Sequence, residues 1–91
     1  MPPGLFLCAS PMAAQQFWSE LGTIKNTGVT VSRDIASEIA PRWNCHLALS
    51  SKFQVIGALN GWAVKVTDGI KTGWVVTEYY AMYSQKNLVR Q

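Results

Sequence analysis

The stretch Asn60–Tyr80, NGWAVKVTDGIKTGWVVTEYY, constrains this chain more than any other. Asn60-Gly61 reads as a turn and Trp62–Val66 as a strand. Thr67-Asp68-Gly69 reads as a second turn, and Ile70-Lys71-Thr72 leads through Gly73 into Trp74–Thr77. Two short runs of aromatic and β-branched residues, joined by a turn that contains Asp-Gly, are a hairpin signal. The chain is therefore expected to build a small β module around this segment.

Upstream, Pro2-Pro3-Gly4 blocks regular structure, and Leu5–Ala9 has the character of a short buried strand. Ser10-Pro11 supplies an N-cap followed by proline at the first helical position. A helix is expected from Pro11 to about Leu21, with Ala14, Phe17, Trp18 and Leu21 forming one apolar face. Gly22 is the expected stop. Thr23–Lys25 reads as extended, Asn26-Thr27-Gly28 as a turn and Val29–Val31 as strand-like. Ser32 is placed to cap a short helix, Arg33–Ala40, that Pro41 ends. Trp43–Leu49 is a further expected strand, Ser50-Ser51-Lys52 a loop, and Phe53–Leu59 a strand with a bulge or close approach at Gly57. Glu78–Tyr83 reads as one turn of helix or a closing strand, and Ser84–Gln91 as a polar tail that frays.

From Trp43 to Tyr80 the order of residues resembles the bacterial SH3-like domain. Asn44 is followed by Ser50-Ser51-Lys52 and by Val55-Ile56-Gly57. Then come Asn60-Gly61-Trp62, Lys65-Val66, Lys71-Thr72-Gly73-Trp74-Val75 and the closing Tyr79-Tyr80. The departure is one strand. In the family a strand and its turn separate the Val-Ile-Gly step from Asn-Gly-Trp, whereas here Ala58-Leu59 runs directly into Asn60. Leu5–Ala9 and Val29–Val31 are the candidates to fill that gap. His46 stands where the family often has arginine. The resemblance implies a partly open SH3-like β-barrel, and the whole is expected to be mainly β with an N-terminal helix (α+β). One domain covers residues 1–91: an N-terminal strand and helix segment (1–42), the SH3-like core (43–80) and the tail (81–91).

Chemistry is sparse. The acids are Glu20, Asp34, Glu38, Asp68 and Glu78, with no paired carboxylates at a recognisable spacing. The single histidine, His46, follows Cys45, and neighbours on a strand point to opposite faces, so the two form no Cys–His pair with each other. The glycines are isolated, with no phosphate-binding loop. No enzymatic role is expected, and no cofactor. Zinc needs three or four ligands, which two cysteines and one histidine barely supply, so no metal site is expected. Cys8 and Cys45 can pair as a disulfide, which fits an oxidising compartment, or stay as buried thiols. No stretch is long and apolar enough to span a bilayer. Leu5–Ala14 resembles the tail of a secretory signal but lacks a positive segment before it. The compartment is therefore open: cytoplasmic, or periplasmic or extracellular if Leu5–Ala14 is a signal remnant.

The net charge of +3 comes from basic residues scattered along the chain, not from a basic block. Aromatic residues are the main chemical resource. Trp62 is expected in the core beside Val64 and Val66, with Trp74 nearer the surface. SH3-like barrels are similar to modules that bind extended chains on aromatic-lined grooves, and the resemblance implies a ligand surface of Trp43, Trp74, Glu78, Tyr79 and Tyr80. The leading expectation is a non-enzymatic module that recognises a protein or peptide segment through such a groove, or peptidoglycan if the chain is exported. A second is a structural or assembly subunit that completes its sheet against a partner, including a homo-oligomer. A third, winged-helix-like nucleic-acid binding, would use the two helices and the hairpin, but Asp34 and Glu38 on the short second helix argue against it.

Overall fold

The computed structural model describes residues 4–50 and 52–81. In chain order these form β1 (Gly4–Cys8), α1 (Pro11–Asn26), α2 (Arg33–Ile39), a 3₁₀ turn (Ala40–Trp43), β2 (Cys45–Leu49), β3 (Gln54–Leu59), β4 (Ala63–Thr67) and β5 (Thr72–Val76). A helical turn follows at residues 77–81. The five strands make one antiparallel sheet in the order β2-β1-β5-β4-β3. The architecture is α+β.

The expected hairpin is present: β4 pairs antiparallel with β5 across the turn that contains Asp68-Gly69, and the expected opening turn at Asn60-Gly61 joins β3 to β4. Asn60 (φ 51°) and Gly61 (φ 79°) are both left-handed, and the Trp62 N–H donates to the Leu59 carbonyl at 3.1 Å. This is the type I′ geometry whose twist suits flanking strands and which Asn-Gly favours. The bulge in β3 is also present. The register with β4 shifts between Val55 and Gly57, leaving Ile56 as the extra residue. Gly73 answers to a close approach. A Cβ there would lie 2.7 Å from the Leu7 Cβ and 3.0 Å from the Cys8 carbonyl oxygen, so β1 and β5 come together only over a glycine.

β1 fills a gap, though not the one between β3 and β4. It lies between β2 and β5, pairing with β2 over its whole length and with β5 at Cys8↔Trp74. Its side chains are buried on both faces. On one face Phe6 and Cys8 pack with Ala14 and Phe17 of α1, Ala36 and Ile39 of α2, Ala40 and Cys45. On the other, Leu5 and Leu7 pack with Ala48, Val66 and Val75 under Phe53, Val64, Tyr79 and Tyr80. Leu5, Ala48 and Val66 have no exposed surface at all. Complete burial of a leucine or valine side chain contributes about 1.5–3 kcal/mol, so Leu5 and Val66 each stabilise the sheet by an amount of that order.

The edges β2 and β3 are consecutive in the chain. Edges of a flat five-stranded sheet lie about 19 Å apart at the usual strand spacing. The five residue steps from Leu49 to Gln54 span at most about 18 Å, so the sheet must coil to bring these edges towards each other. It does not close. Among the described residues β2 and β3 share no ladder, so of the partly open barrel expected from the sequence the structure shows an open, coiled five-stranded sheet.

Other expectations change locally. α1 does not stop at Gly22 but continues to Asn26, and Thr23–Lys25 is helical, not extended. A glycine within a helix costs only about 1 kcal/mol, and packing of Leu21 and Ile24 against the helix-side core outweighs it. The stop comes at Thr27-Gly28, where Gly28 is left-handed (φ 90°). Val29–Val31 is not a strand. α2 ends at Ile39, one residue earlier than expected, and passes into the 3₁₀ turn at Ala40-Pro41. Trp43 and Asn44 precede β2. Trp43 ends the 3₁₀ turn and Asn44 is left-handed (φ 55°), which reverses the chain into the strand. The residues at 78–81 are helical, while Met82, Tyr83 and the tail at 84–91 lie outside the described residues.

Candidate binding surface

The two sheet edges differ in how their outward backbone is finished. On β2, the Ala9 N–H donates to the Asn44 carbonyl at 3.1 Å, so by alternation Cys45, Leu47 and Leu49 turn their N–H and C=O groups away from β1. The Leu47 carbonyl is met by the Lys71 ammonium at 3.5 Å. Lys71 is held there by its own turn. The Asp68 carboxylate (Oδ1) accepts from the Ile70 and Lys71 N–H groups at 2.8 and 2.7 Å. These bonds, that from Lys71 foremost, hold the Asp68 carboxyl below the usual carboxylate range. The Asp68 N–H also donates to the Lys71 carbonyl at 3.2 Å. An aspartate in a turn thus aims a lysine across the coiled sheet at an edge strand.

The same edge is tied to the body of the sheet covalently. Cys8 and Cys45 are direct register partners in β1 and β2 and form a disulfide, with Cα atoms 4.0 Å apart. The Ala9–Asn44 hydrogen bond places them at a non-hydrogen-bonded pair, the closer of the two kinds of antiparallel pair. The buried-thiol alternative is therefore set aside. His46 lies between them and the rest of β2 on the opposite face, exposed, while Cys45 is buried.

β3 has neither device. Its six residues, Gln54-Val55-Ile56-Gly57-Ala58-Leu59, carry no charge and no proline. Five of them are exposed and Gly57 is half-buried. Val55 is 45%, Ile56 50% and Leu59 37% exposed. One side of the strand bonds to β4; the other has no neighbouring strand among the described residues. An uncharged edge with β-branched side chains and unpaired backbone is a template for another strand. Among the described residues its one protective feature is the bulge at Ile56.

The five residues expected to line a ligand surface are placed as follows. Trp43 ends the 3₁₀ turn and donates from Nε1 to Glu20 Oε1 at 2.9 Å, while Glu20 Oε2 meets Arg42 at 3.2 Å. Trp74, on β5, is half-buried against the helix-side core, and so is Trp43. Tyr79 stacks on Trp18 with ring centroids 5.4 Å apart. Its hydroxyl oxygen accepts from the Phe6 N–H at 3.4 Å, filling the place where β5 turns helical and leaves β1. Tyr80 belongs to the opposite core and donates to the Phe53 carbonyl at 3.4 Å. Glu78 is exposed on the same helical turn. Trp43, Trp74 and Tyr79 thus share one core cluster, Tyr79 touches both, and Tyr80 lies in the other. Trp62, expected in the core, is half-buried, beside a fully buried Val66 and a half-buried Val64.

Sequence reasoning passed over Val55, Ile56 and Leu59. The absence of charge from residues 54–59 was legible; that this strand lies at an edge is a property of the topology.

An open depression of about 500 Å³ lies beside β2, lined by Phe6, Ser37, Ala40, Asn44, His46 and Leu47 among others. Among the described residues no group of three or more His, Cys, Asp or Glu side chains could hold a metal ion. No helix among them is long and apolar enough to cross a membrane. No protein-family model matches the chain, and no curated protein or solved structure matches it.

Proposed function

We propose that this chain is a non-enzymatic protein-binding module that accepts an extended segment of a partner as an added strand along β3. The observation that carries the reading is the uncharged, exposed β3 edge, with Val55, Ile56 and Leu59 presented beside unpaired backbone. Strand addition draws affinity from main-chain hydrogen bonds and specificity from alternate side chains, and β3 offers both. The SH3-like reading belongs with it. The β3-β4-β5 meander carries the Val-Ile-Gly, Asn-Gly-Trp and Lys-Thr-Gly-Trp-Val residues, and β1 supplies a strand from elsewhere in the chain. The half-buried aromatic residues then serve mainly to hold the sheet that presents the edge.

Panning a display library of short linear peptides on the folded chain tests this. The expected selection is uncharged peptides with alternating β-branched residues, whose binding is lost in Val55→Lys and Ile56→Lys variants. Peptides that bind both variants as well as the parent would sink the proposal.

A further inference from the structure

We infer that the strand received by β3 is the β3 of a second copy, giving a closed two-fold dimer with a continuous ten-stranded sheet. The inference rests on the proposed function and specifies its partner. Three observations carry it.

The first is charge. Self-pairing of edge strands is ordinarily blocked by like charges brought face to face. Residues 54–59 contain none. Lys52 is exposed just before the strand. Antiparallel pairing, which a two-fold axis requires, puts the two Lys52 side chains at opposite ends of the joint ladder, each near the partner's Asn60-Gly61 turn. Parallel pairing would bring them together. The charge pattern thus selects the arrangement that symmetry permits.

The second is the contrast with β2. A β3 edge could also add to the β2 edge of the next molecule, and repetition of that contact would give an open filament. Lys71 against the Leu47 carbonyl obstructs β2. With one edge obstructed and one bare, association stops at two.

The third is the side chains. Val55 and Ala58 lie on one face of β3, Gln54, Gly57 and Leu59 on the other, as their register partners on β4 show. On the Val55/Ala58 face an antiparallel copy sets apolar side chains beside apolar side chains.

The test is sedimentation equilibrium of the whole chain from micromolar to millimolar concentration, with isotope-filtered NOEs to locate the contact. The expected mass rises from 10.0 kDa to twice that, with intermolecular NOEs confined to residues 54–59. In Val55→Lys and Ile56→Lys the dissociation constant should rise at least about a hundredfold, since each substitution enters the interface twice. Both sites are exposed, so an unchanged far-UV spectrum is expected; the milder Ile56→Thr gives an intermediate shift if either lysine variant fails to fold. A chain that stays monomeric at millimolar concentration overturns the inference, as does a dimer with NOEs elsewhere. A monomer that still binds selected peptides along β3 overturns the dimer alone and leaves the binding module standing. A monomer whose β3 amides resist hydrogen exchange overturns both, because the edge is then covered from within the chain.

Discussion

β2 and β3 are the two edges of one sheet, joined by a short loop, yet they are finished in opposite ways. β2 is fixed to its neighbour by the Cys8–Cys45 disulfide, flanked by the 3₁₀ turn and met by Lys71. β3 is uncharged, bulged at Ile56 and exposed. Both edges carry the same hazard, a row of outward N–H and C=O groups. A chain that only needed to avoid aggregation would treat both alike. The proposed strand-accepting surface rests on this difference between a protected edge and an apolar one.

Four variants can break or sharpen that contrast. The largest effect is expected from Cys8→Ala/Cys45→Ala, which releases the guarded edge from its covalent tie. The disulfide spans 37 residues of sequence, and loop-closure entropy for that length corresponds to about 4 kcal/mol. Urea denaturation should show a loss of that order, and an unchanged midpoint would mean that the β1–β2 ladder alone secures this edge. Next is Gly73→Ala, at the seam between the two halves of the sheet. The new methyl would press on the Leu7 Cβ and the Cys8 backbone, and overpacking of this kind costs about 1–3 kcal/mol, readable as a lowered Tm.

Lys71→Met should change stability by no more than about 0.5 kcal/mol, as expected for an exposed position. Its effect lies in assembly: with β2 unguarded, head-to-tail addition becomes available, and light scattering should grow with concentration and time. Adding Ile56→Lys to that variant should abolish the growth; growth that persists would place the sticky surface elsewhere. The smallest effect is that of Asp68→Ala. The Asp68 carboxyl is held below its ordinary value of 3.8 in the fold. Its contribution is therefore complete above that value and is lost as pH falls through the lower, folded one. Thermal unfolding between about pH 2 and 6 should show a shallower acid limb in the variant, with the parent's advantage greatest at the upper end.

What could be read in advance depended on how local the cause was. Asn60-Gly61 and Ser10-Pro11 act through their own backbone geometry, so the turn and the start of α1 were legible. Gly57 announced the bulge for the same reason. Gly22 misled, because a weak local preference against helix was overridden by distant packing of Leu21 and Ile24. Val29–Val31 misled in the same way, with strand-forming residues but no strand to pair with. The disulfide could not be decided before the register placed Cys8 opposite Cys45. The β3 edge was the least legible part. Residues 54–59 look like any apolar strand until the topology leaves one side of them without a neighbour. Conversely, Tyr79 and Tyr80 look like surface aromatics, and the structure gives them a place in the cores.

The position of β1 also sets a problem of timing. It pairs with β2 and β5, far along the chain, and even the Phe6 N–H finds its acceptor 73 residues away. The β3-β4-β5 meander closes through short turns and can form early, whereas contacts of long sequence separation are slow to form. Until β1 arrives, β5 is itself an edge, with Val75 and Val66 uncovered beside it. A folding intermediate would therefore carry two sticky strands, and the native protein only one. Crowded refolding should trap the chain through β5, a contact the finished molecule never makes.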